Sequence, residues 1–242
     1  MKRILTVVAL GLLTLSALAQ DDEFGLWTSV EARKKLADGL NAALEGEFRT
    51  QDGFDVERWA ISAKLACKVN DYFKIDGGYT FIYRNVPGEV TSKGNIVDSY
   101  WSSRHRLFVA ATGSIKWNRL EFSLRERYQF TQRTATSAAK WDGDDGSQKA
   151  DEEILAKSKN TLRSRLQVEW DIRRSHFSPY ASCEIYNSLD DGFSLEKTRW
   201  TVGTGYKFSK KHSVDIFYRY QSQSDDDEAN GHVLGLGYCF KF

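Results

Sequence analysis

Residues 213–242 alternate between apolar and polar side chains. Within 213–221 and 232–242 the apolar side chains mostly share one parity, and polar or small residues take most of the other. Phe217 is the one apolar intruder of 213–221, and Val233 shares the parity of the glycines in 232–242. Strict alternation predicts strands with one apolar and one polar face. The chain ends on two aromatic residues spaced i and i+2, Phe240 and Phe242. A polar-inside, apolar-outside hairpin with an aromatic end is typical of the closing strand of a transmembrane β-barrel.

The same alternation recurs in eight earlier segments, which are 39–50, 56–69, 72–84, 102–115, 119–134, 158–173, 177–189 and 195–208. Strands of this length exceed the usual globular strand and suit a tilted crossing of a bilayer. Short turns and longer, more acidic loops alternate between the segments, as they do at the periplasmic and outer ends of such barrels. With Phe242 placed in the periplasm, every short turn falls on that side.

The number of strands is the open point of this interpretation. Residues 39–242 give ten strands, and residues 24–32 form another candidate. Eleven is odd, whereas bacterial single-chain barrels have even numbers. Either 24–32 is an accessory strand, or a further strand lies within 135–157. We therefore expect an all-β fold, a transmembrane antiparallel up-and-down β-barrel of about ten strands, with ten to twelve as the range, plus an accessory N-terminal strand.

The start of the chain predicts export. A basic Met1-Lys2-Arg3 precedes an apolar stretch that is too short to span a bilayer, and Ala17-Leu18-Ala19 matches a cleavage site. We expect residues 1–19 to be a signal peptide and 20–242 to form one outer-membrane barrel domain. The mean hydropathy of −0.51 does not exclude a barrel, because the polar lumen masks the apolar outer face.

Inward-facing cations are the candidate site. Orienting each strand by its turns places a basic ring in the lumen toward the outer half, made of Arg49, Arg58, Arg84, Arg104, Arg106, Arg133, Arg163, Arg165, Lys197, Arg199 and Arg219. Like charges in a narrow lumen repel, so anionic groups must offset them. The candidates are Glu45, Glu47 and the acidic loops around 142–153, 190–191 and 225–228. These loops would seal the mouth, or the ring would attract small anions, which arginine binds bidentately.

One charge on the outward face is anomalous. Glu126 falls on the lipid-facing parity in the middle of 119–134, where a charge is unfavourable. The sequence therefore predicts a local bulge that turns Glu126 inward, or a protein neighbour that covers it.

The sequence gives little sign of catalysis or of a cofactor. Cys67, Cys183 and Cys239 show no metal-ligand spacing. Ser103 and His105 are close in sequence, but alternation points both outward and away from the lumen. Lumen carboxylates beside arginines have lowered pKa values and make poor general acids. The acidic run at 142–145 matches only part of a calcium loop. We expect no enzyme activity, no metal and no cofactor.

Several segments carry a family resemblance. FGLWTSVEARKKL, LEGEFRTQDGFDVERWAISAKLACKV and LEFSLRERYQFTQR resemble an uncharacterised bacterial family of outer-membrane proteins, domain of unknown function 2490. The resemblance covers most of residues 24–242 and implies a β-barrel with a signal peptide; it implies no catalytic residue. The final GYCFKF is similar to the assembly signal of outer-membrane barrels, with Gly237, Phe240 and Phe242 at the matching positions.

Three functions remain open at this stage. We favour a bacterial outer-membrane barrel that is structural or a narrow anion-attracting pore. Its expected partners are outer-membrane lipid, the barrel-assembly machinery and small anions, but not nucleic acid. The alternatives are a lipid-modifying outer-membrane enzyme and a soluble periplasmic barrel that binds a small apolar ligand. The outward Phe, Leu, Ile and Val side chains speak against the soluble barrel, which would place them inside.

Overall fold

Eleven strands form one closed β-barrel. The computed structural model describes residues 23–52, 54–223 and 231–242. The wall strands are β1 (Glu23–Ala37), β2 (Leu40–Gln51), β3 (Asp55–Lys68), β4 (Phe73–Val86), β5 (Tyr100–Trp117), β6 (Leu120–Arg133), β7 (Lys157–Trp170), β8 (Phe177–Ser188), β9 (Leu195–Lys207), β10 (His212–Gln223) and β11 (Gly231–Lys241). The expected all-β transmembrane-type barrel is confirmed, and the ten strands predicted over 39–242 are all present.

The N-terminal strand is a full member of the wall. It pairs antiparallel with β2 from Trp27↔Arg49 to Ala37↔Leu40 and parallel with β11 from Glu23↔Gly231 to Arg33↔Lys241. Eleven strands joined by hairpins leave the first and last running in the same direction, so the barrel closes through a parallel pair. The expected N-terminal strand is therefore present, but it is a wall strand and not an accessory one. The wall formed by the described residues has an odd number of strands.

Residues 135–157 add no wall strand. They contain the short strands Thr136–Ala138 and Glu152–Ile154, which pair with each other. They also contain Lys140–Trp141, which pairs with Ile96–Val97 of the preceding long loop. These pairings form small loop sheets at the rim, and the alternative of a missed wall strand in this region is wrong.

The two ends of the barrel differ. At one end, which we call the short-turn end, hairpin turns such as Asp38-Gly39 connect the strands, and residues with positive φ close them, including Gly39 (φ 75°) and Asn118 (φ 57°). At the other, the long-loop end, the connections include 87–99 and 134–156. The predicted alternation of short turns and long loops therefore matches the structure. Phe242 lies at the short-turn end, where its backbone N–H donates to Arg33 O at 3.0 Å.

The barrel buries polar side chains and exposes apolar ones. Buried residues include Arg58, Arg84 and Ser102, whereas Leu44, Ile61 and Ile115 are more than half exposed on the outward face. This arrangement is the reverse of a soluble domain and is that of a barrel with a polar lumen in an apolar medium.

Aromatic side chains gather at both rims of the outward face. At the long-loop end Tyr83 stacks on Trp101 with ring centroids 4.7 Å apart, and at the short-turn end Phe177 packs against Tyr206 at 4.6 Å. Rings that flank an apolar band are the interfacial girdles of membrane barrels. The described residues include no helix long and apolar enough to cross a membrane. The predicted signal peptide, 1–19, and the acidic run 225–228 lie outside the described residues.

Candidate functional site

Strand register brings arginines together on the inner wall. Arg49 on β2 is opposite Arg58 on β3, and Arg58 is opposite Arg84 on β4. Each of these side chains takes the inward parity, opposite to neighbours such as Trp59 and Tyr83, which are exposed on the outward face. Three guanidinium groups on adjacent strands thus share one stretch of the lumen wall, and all three are buried.

This wall encloses a cavity in the half of the lumen toward the long loops. The cavity, which we call the basic chamber, has a volume of about 230 Å³. Among the described residues its lining holds eleven cations against three carboxylates. The cations are Arg49, Arg58, Lys64, Arg84, Arg104, Arg106, Arg127, Lys159, Arg163, Lys197 and Arg199, and the carboxylates are Glu45, Glu47 and Glu196. Eight of the eleven residues of the predicted basic ring lie here.

The other three ring residues lie elsewhere, which corrects the expectation of a single level. Arg165 and Arg219 line a second cavity of about 560 Å³ toward the short-turn end, which we call the lower chamber. Arg133 is at the long-loop rim, where its Nη2 donates to Leu155 O at 3.1 Å. Barrel strands tilt, and their register is sheared around the wall. Residues at equal distances from their turns therefore do not share one height.

Glu47 neutralises part of the arginine wall. Its Oε2 accepts from Arg49 Nη2 at 2.7 Å, and its Oε1 accepts from Arg58 Nε at 3.1 Å and Nη2 at 3.0 Å. Glu45, on the same strand face, is paired with Lys64, which also contacts Glu31 at 3.1 Å. The sequence named both glutamates as counter-charges, and the structure places both beside lumen cations.

Glu184 holds a second cluster at the boundary between the chambers. Both of its oxygens accept from Arg163 Nη2 at 3.1 Å, and Oε1 also accepts from Arg125 Nη2 at 2.5 Å. The Tyr186 hydroxyl donates to Oε2 at 3.0 Å, and Arg199 donates to that hydroxyl. Arg163 and Tyr186 line the basic chamber, whereas Glu184 lines the lower one. This group of side chains, which we call the Glu184 layer, therefore borders both cavities.

Aromatic rings inside the lumen carry further guanidinium groups. The Trp27 ring has the Arg49 Cζ 3.4 Å from its centroid, with Arg199 and Arg219 each at 4.9 Å. Trp27 is only 6% exposed, although it lies on a strand at the edge of the closing seam. Cation–π contacts of this kind are worth about 0.5–2 kcal/mol each. They help to hold like charges at close quarters where carboxylates are few.

Sequence reasoning missed several members of this network. Arg125 and Arg127 were on the inward parity but outside the predicted ring, and Glu184 was not among the predicted counter-charges. Trp27 and Tyr186 were not identified as lumen groups. The signal that could have found the aromatic groups was a large aromatic residue on the polar parity. Phe217 is an example, because its ring lies inward with the Arg219 guanidinium 4.7 Å from the ring centroid.

The acidic loop residues engage groups near their own loops. Asp142 pairs with Lys149 at 2.6 Å, and this hydrogen bond holds the pKa of Asp142 below its usual value. Asp190 accepts from the backbone N–H and the side chain of Asn160, both at 2.6 Å, and these bonds likewise lower its pKa. These contacts tie the loops to themselves and to one strand end. The predicted seal between loop carboxylates and the ring stays a prediction.

The remaining sequence expectations concern the outward face. Glu126 lies on an unbroken strand register, opposite Ala111 and Ser164, so the expected bulge is wrong. Its carboxylate is half-buried and accepts from Ser164 Oγ at 2.5 Å. The hydroxyl of the neighbouring strand therefore stabilises the carboxylate by a hydrogen bond, and the strand that carries Glu126 does not bend. His105 lies beside Tyr79, whose hydroxyl is 2.6 Å from its Nδ1.

The residues of the predicted assembly signal lie on the closing strand and just beyond it. Gly237 faces Asp215 of β10 and Ser29 of β1. Phe240 and Phe242 are at the short-turn end with ring centroids 5.6 Å apart. Within the described residues, no group of three or more His, Cys, Asp or Glu side chains is arranged to hold a metal ion.

Comparison with known proteins identifies the fold. The sequence model of a family described as "Protein of unknown function (DUF2490)" matches residues 24–232. No curated protein matches the chain. A NanC porin structure aligns with a TM-score of 0.51 and 16% identity over 92% of this chain and 99% of its own.

Two autotransporter structures are also similar. The β domain of the Bordetella autotransporter BrkA has a TM-score of 0.60 and 13% identity, over 86% of each chain. The translocator domain of the autotransporter NalP from Neisseria meningitidis has a TM-score of 0.57 and 12% identity, over 100% of this chain and 98% of its own. At these identities the likeness shows a shared barrel fold.

Proposed function

The chain belongs to the DUF2490 family, whose function is unknown. From the features of the barrel itself, we propose that the chain is an outer-membrane β-barrel protein with a narrow, anion-attracting lumen. The barrel fold it shares with a porin and with autotransporter domains, the outward apolar band and the aromatic rims support this location. A soluble barrel with an apolar ligand would place that band inside.

The charge of the basic chamber carries the proposal. Eleven cations against three carboxylates give a positive potential that low-dielectric walls focus. Arginine also offers paired donors that match the oxygens of phosphate and carboxylate groups. Among the described residues, Nε and Nη1 of Arg49 and Nε of Arg163 are buried and make no hydrogen bond. Both arginines line the chamber, so a shift of either side chain would present an unused donor to a small anion there.

A single-channel measurement tests this function. The purified full chain in a planar bilayer, under a potassium chloride gradient, should conduct weakly with a reversal potential that shows anion preference. The double variant Arg106→Gln, Lys197→Gln removes two chamber charges and should lower that preference. The control Lys68→Gln changes an exposed lysine of a short turn and should leave it unchanged. Cation preference in the wild-type protein would refute the proposal.

The Glu184 layer favours a second candidate, a structural barrel closed by its own side chains. Arg163, Tyr186 and Glu184 contact one another where the two chambers meet. A barrel of this size leaves little lumen beyond its side chains. A closed wild-type barrel should not conduct, and Arg163→Ala should then open a path. If both proteins are equally silent, the arginines have neither role.

Two further expectations also remain proposals. We infer that the protein is not an enzyme. The outward placement of His105, bonded to Tyr79, separates it from the lumen polar groups. Phospholipid hydrolysis that is lost in Ser103→Ala would contradict this. We also infer that Phe240 and Phe242 engage the barrel-assembly machinery, so a chain lacking residues 240–242 should reach the outer membrane at a reduced level.

A further inference from the structure

Two neighbouring short turns expose cations that lack acidic partners. Arg173 and Arg174 lie in the turn between β7 and β8, and Lys210 and Lys211 lie in the turn between β9 and β10. All four are exposed, and among the described residues none forms an ion pair. The one acidic residue of these turns, Asp171, is also exposed.

Other short turns neutralise their own lysines. Lys35 pairs with Asp38, and Lys68 pairs with Asp71 at 2.5 Å. The spacing i, i+3 places each lysine and aspartate across the same tight turn. The two basic turns therefore differ from these in carrying a pair of such cations each, whereas the turn between β5 and β6 exposes one, Arg119, which also forms no ion pair among the described residues.

The two basic turns lie side by side. Strands β8 and β9 pair so that Phe177 is opposite Tyr206, and the Lys207 backbone N–H donates to His176 O at 3.0 Å. Serine hydroxyls brace both turns: Ser175 Oγ accepts from the Phe177 N–H at 3.0 Å, and Ser209 Oγ accepts from the Lys211 N–H at 3.1 Å. The four cations thus lie on two adjacent, hydrogen-bonded turns, and we call them the basic turn patch.

An aromatic cluster adjoins this patch on the outward face of the barrel. Tyr206 packs between Phe177 and Phe208, with ring centroids 4.6 Å and 4.7 Å away. Phe177 is 49% exposed and Phe208 is 63% exposed. Aromatic rings of membrane proteins lie at the level of the lipid headgroups. Cations just beyond the rings are then at the height of the lipid phosphates.

We propose that the basic turn patch binds the phosphate groups of anionic phospholipids in the leaflet at the short-turn end. The headgroup contacts Arg173, Arg174, Lys210 and Lys211, and the start of the acyl chains covers Phe177 and Phe208. A free phosphate would satisfy the cations but leave the rings uncovered, so the surface fits a lipid. This inference rests on the proposed membrane location and is independent of the anion-attracting lumen.

Native mass spectrometry of the full chain tests the proposal. The protein is released from mixed micelles that hold equal amounts of phosphatidylcholine and phosphatidylglycerol, and the retained lipid is counted. Each cation near an anionic membrane surface contributes on the order of a fivefold change in binding. The variant Lys210→Gln, Lys211→Gln removes two cations and should therefore retain phosphatidylglycerol about 25-fold less than the wild type. Phosphatidylcholine retention should not change.

The matched control is Lys35→Gln, Lys68→Gln, which removes the same charge from turns whose lysines are already paired. It should retain phosphatidylglycerol within about twofold of the wild type, because a paired lysine adds little net attraction. Circular dichroism confirms that each variant is folded. Equal loss in the control, or no preference for phosphatidylglycerol in the wild type, overturns the proposal. Displacement of the lipid by excess inorganic phosphate also overturns it, since the patch would then be a soluble-anion site.

Discussion

Replacement of Glu184 with glutamine should lower the unfolding free energy of the barrel. The carboxylate is 6% exposed and holds Arg163, Arg125 and the Tyr186 hydroxyl. Removing one partner of a buried charged pair costs about 3–5 kcal/mol, because the remaining charge stays buried without compensation. Glutamine keeps one oxygen that can accept from the hydroxyl and from one arginine. We therefore expect a loss at the lower end, about 3 kcal/mol of unfolding free energy.

A urea titration of the barrel in detergent micelles measures this loss. The folded and unfolded forms separate on an unheated gel, and the transition midpoint should fall with an unchanged slope. Glu121→Gln serves as the control. Glu121 pairs with Lys116 at 3.4 Å, and the two side chains are 40% and 67% exposed. An exposed pair contributes only about 0–1 kcal/mol.

A double variant tests the cause of the loss. If uncompensated charge destabilises Glu184→Gln, then adding Arg163→Gln should restore part of the stability, because the second substitution removes the charge left behind. Arg163 also donates to Gln129 at 3.1 Å, so recovery should be incomplete. A loss for Glu184→Gln no larger than that of the Glu121 control, or a double variant as weak as the sum of its parts, would refute the reasoning.

Three further outcomes follow from the structure. Gly235→Ala should cost about 1–3 kcal/mol by overpacking, because a Cβ there would lie 2.0 Å from the Phe217 ring; in a Phe217→Ala background the same substitution should cost almost nothing in the same titration, and an equal cost there would exclude the ring as the cause. Trp27→Ala should lower the unfolding free energy by about 3 kcal/mol or more, whereas Trp27→Phe should lower it by less. Equal decreases would count against a contribution from the stacking of arginines on the Trp27 ring. Asp190, whose pKa is lowered by its bonds to Asn160, should add stability above the ordinary aspartate pKa of about 3.9. That stability should disappear as the pH falls through the lowered pKa, and Asp190→Asn should flatten this part of the stability–pH curve.

The alternation of side chains by itself determined the wall of the barrel. Because a strand repeats every two residues, the sequence states which side chains face in and which face out. The ten strands over 39–242 and most of the inward arginines could therefore be predicted. Glu45 and Glu47 could be named as lumen counter-charges for the same reason. The resemblance to the family added the barrel expectation over almost the whole chain.

Only the tertiary structure decided which inward-facing side chains are neighbours around the lumen. Closure through a parallel β1–β11 pair is a property of the whole sheet, and no local pattern encodes it. Height within the lumen depends on strand tilt and register shear, which is why Arg165 and Arg219 lie in the lower chamber. Charge compensation depends on side chains that are far apart in sequence, as between Glu184 and Arg125. Parity gives the direction of each side chain, whereas its partner is set by the closed geometry of the barrel.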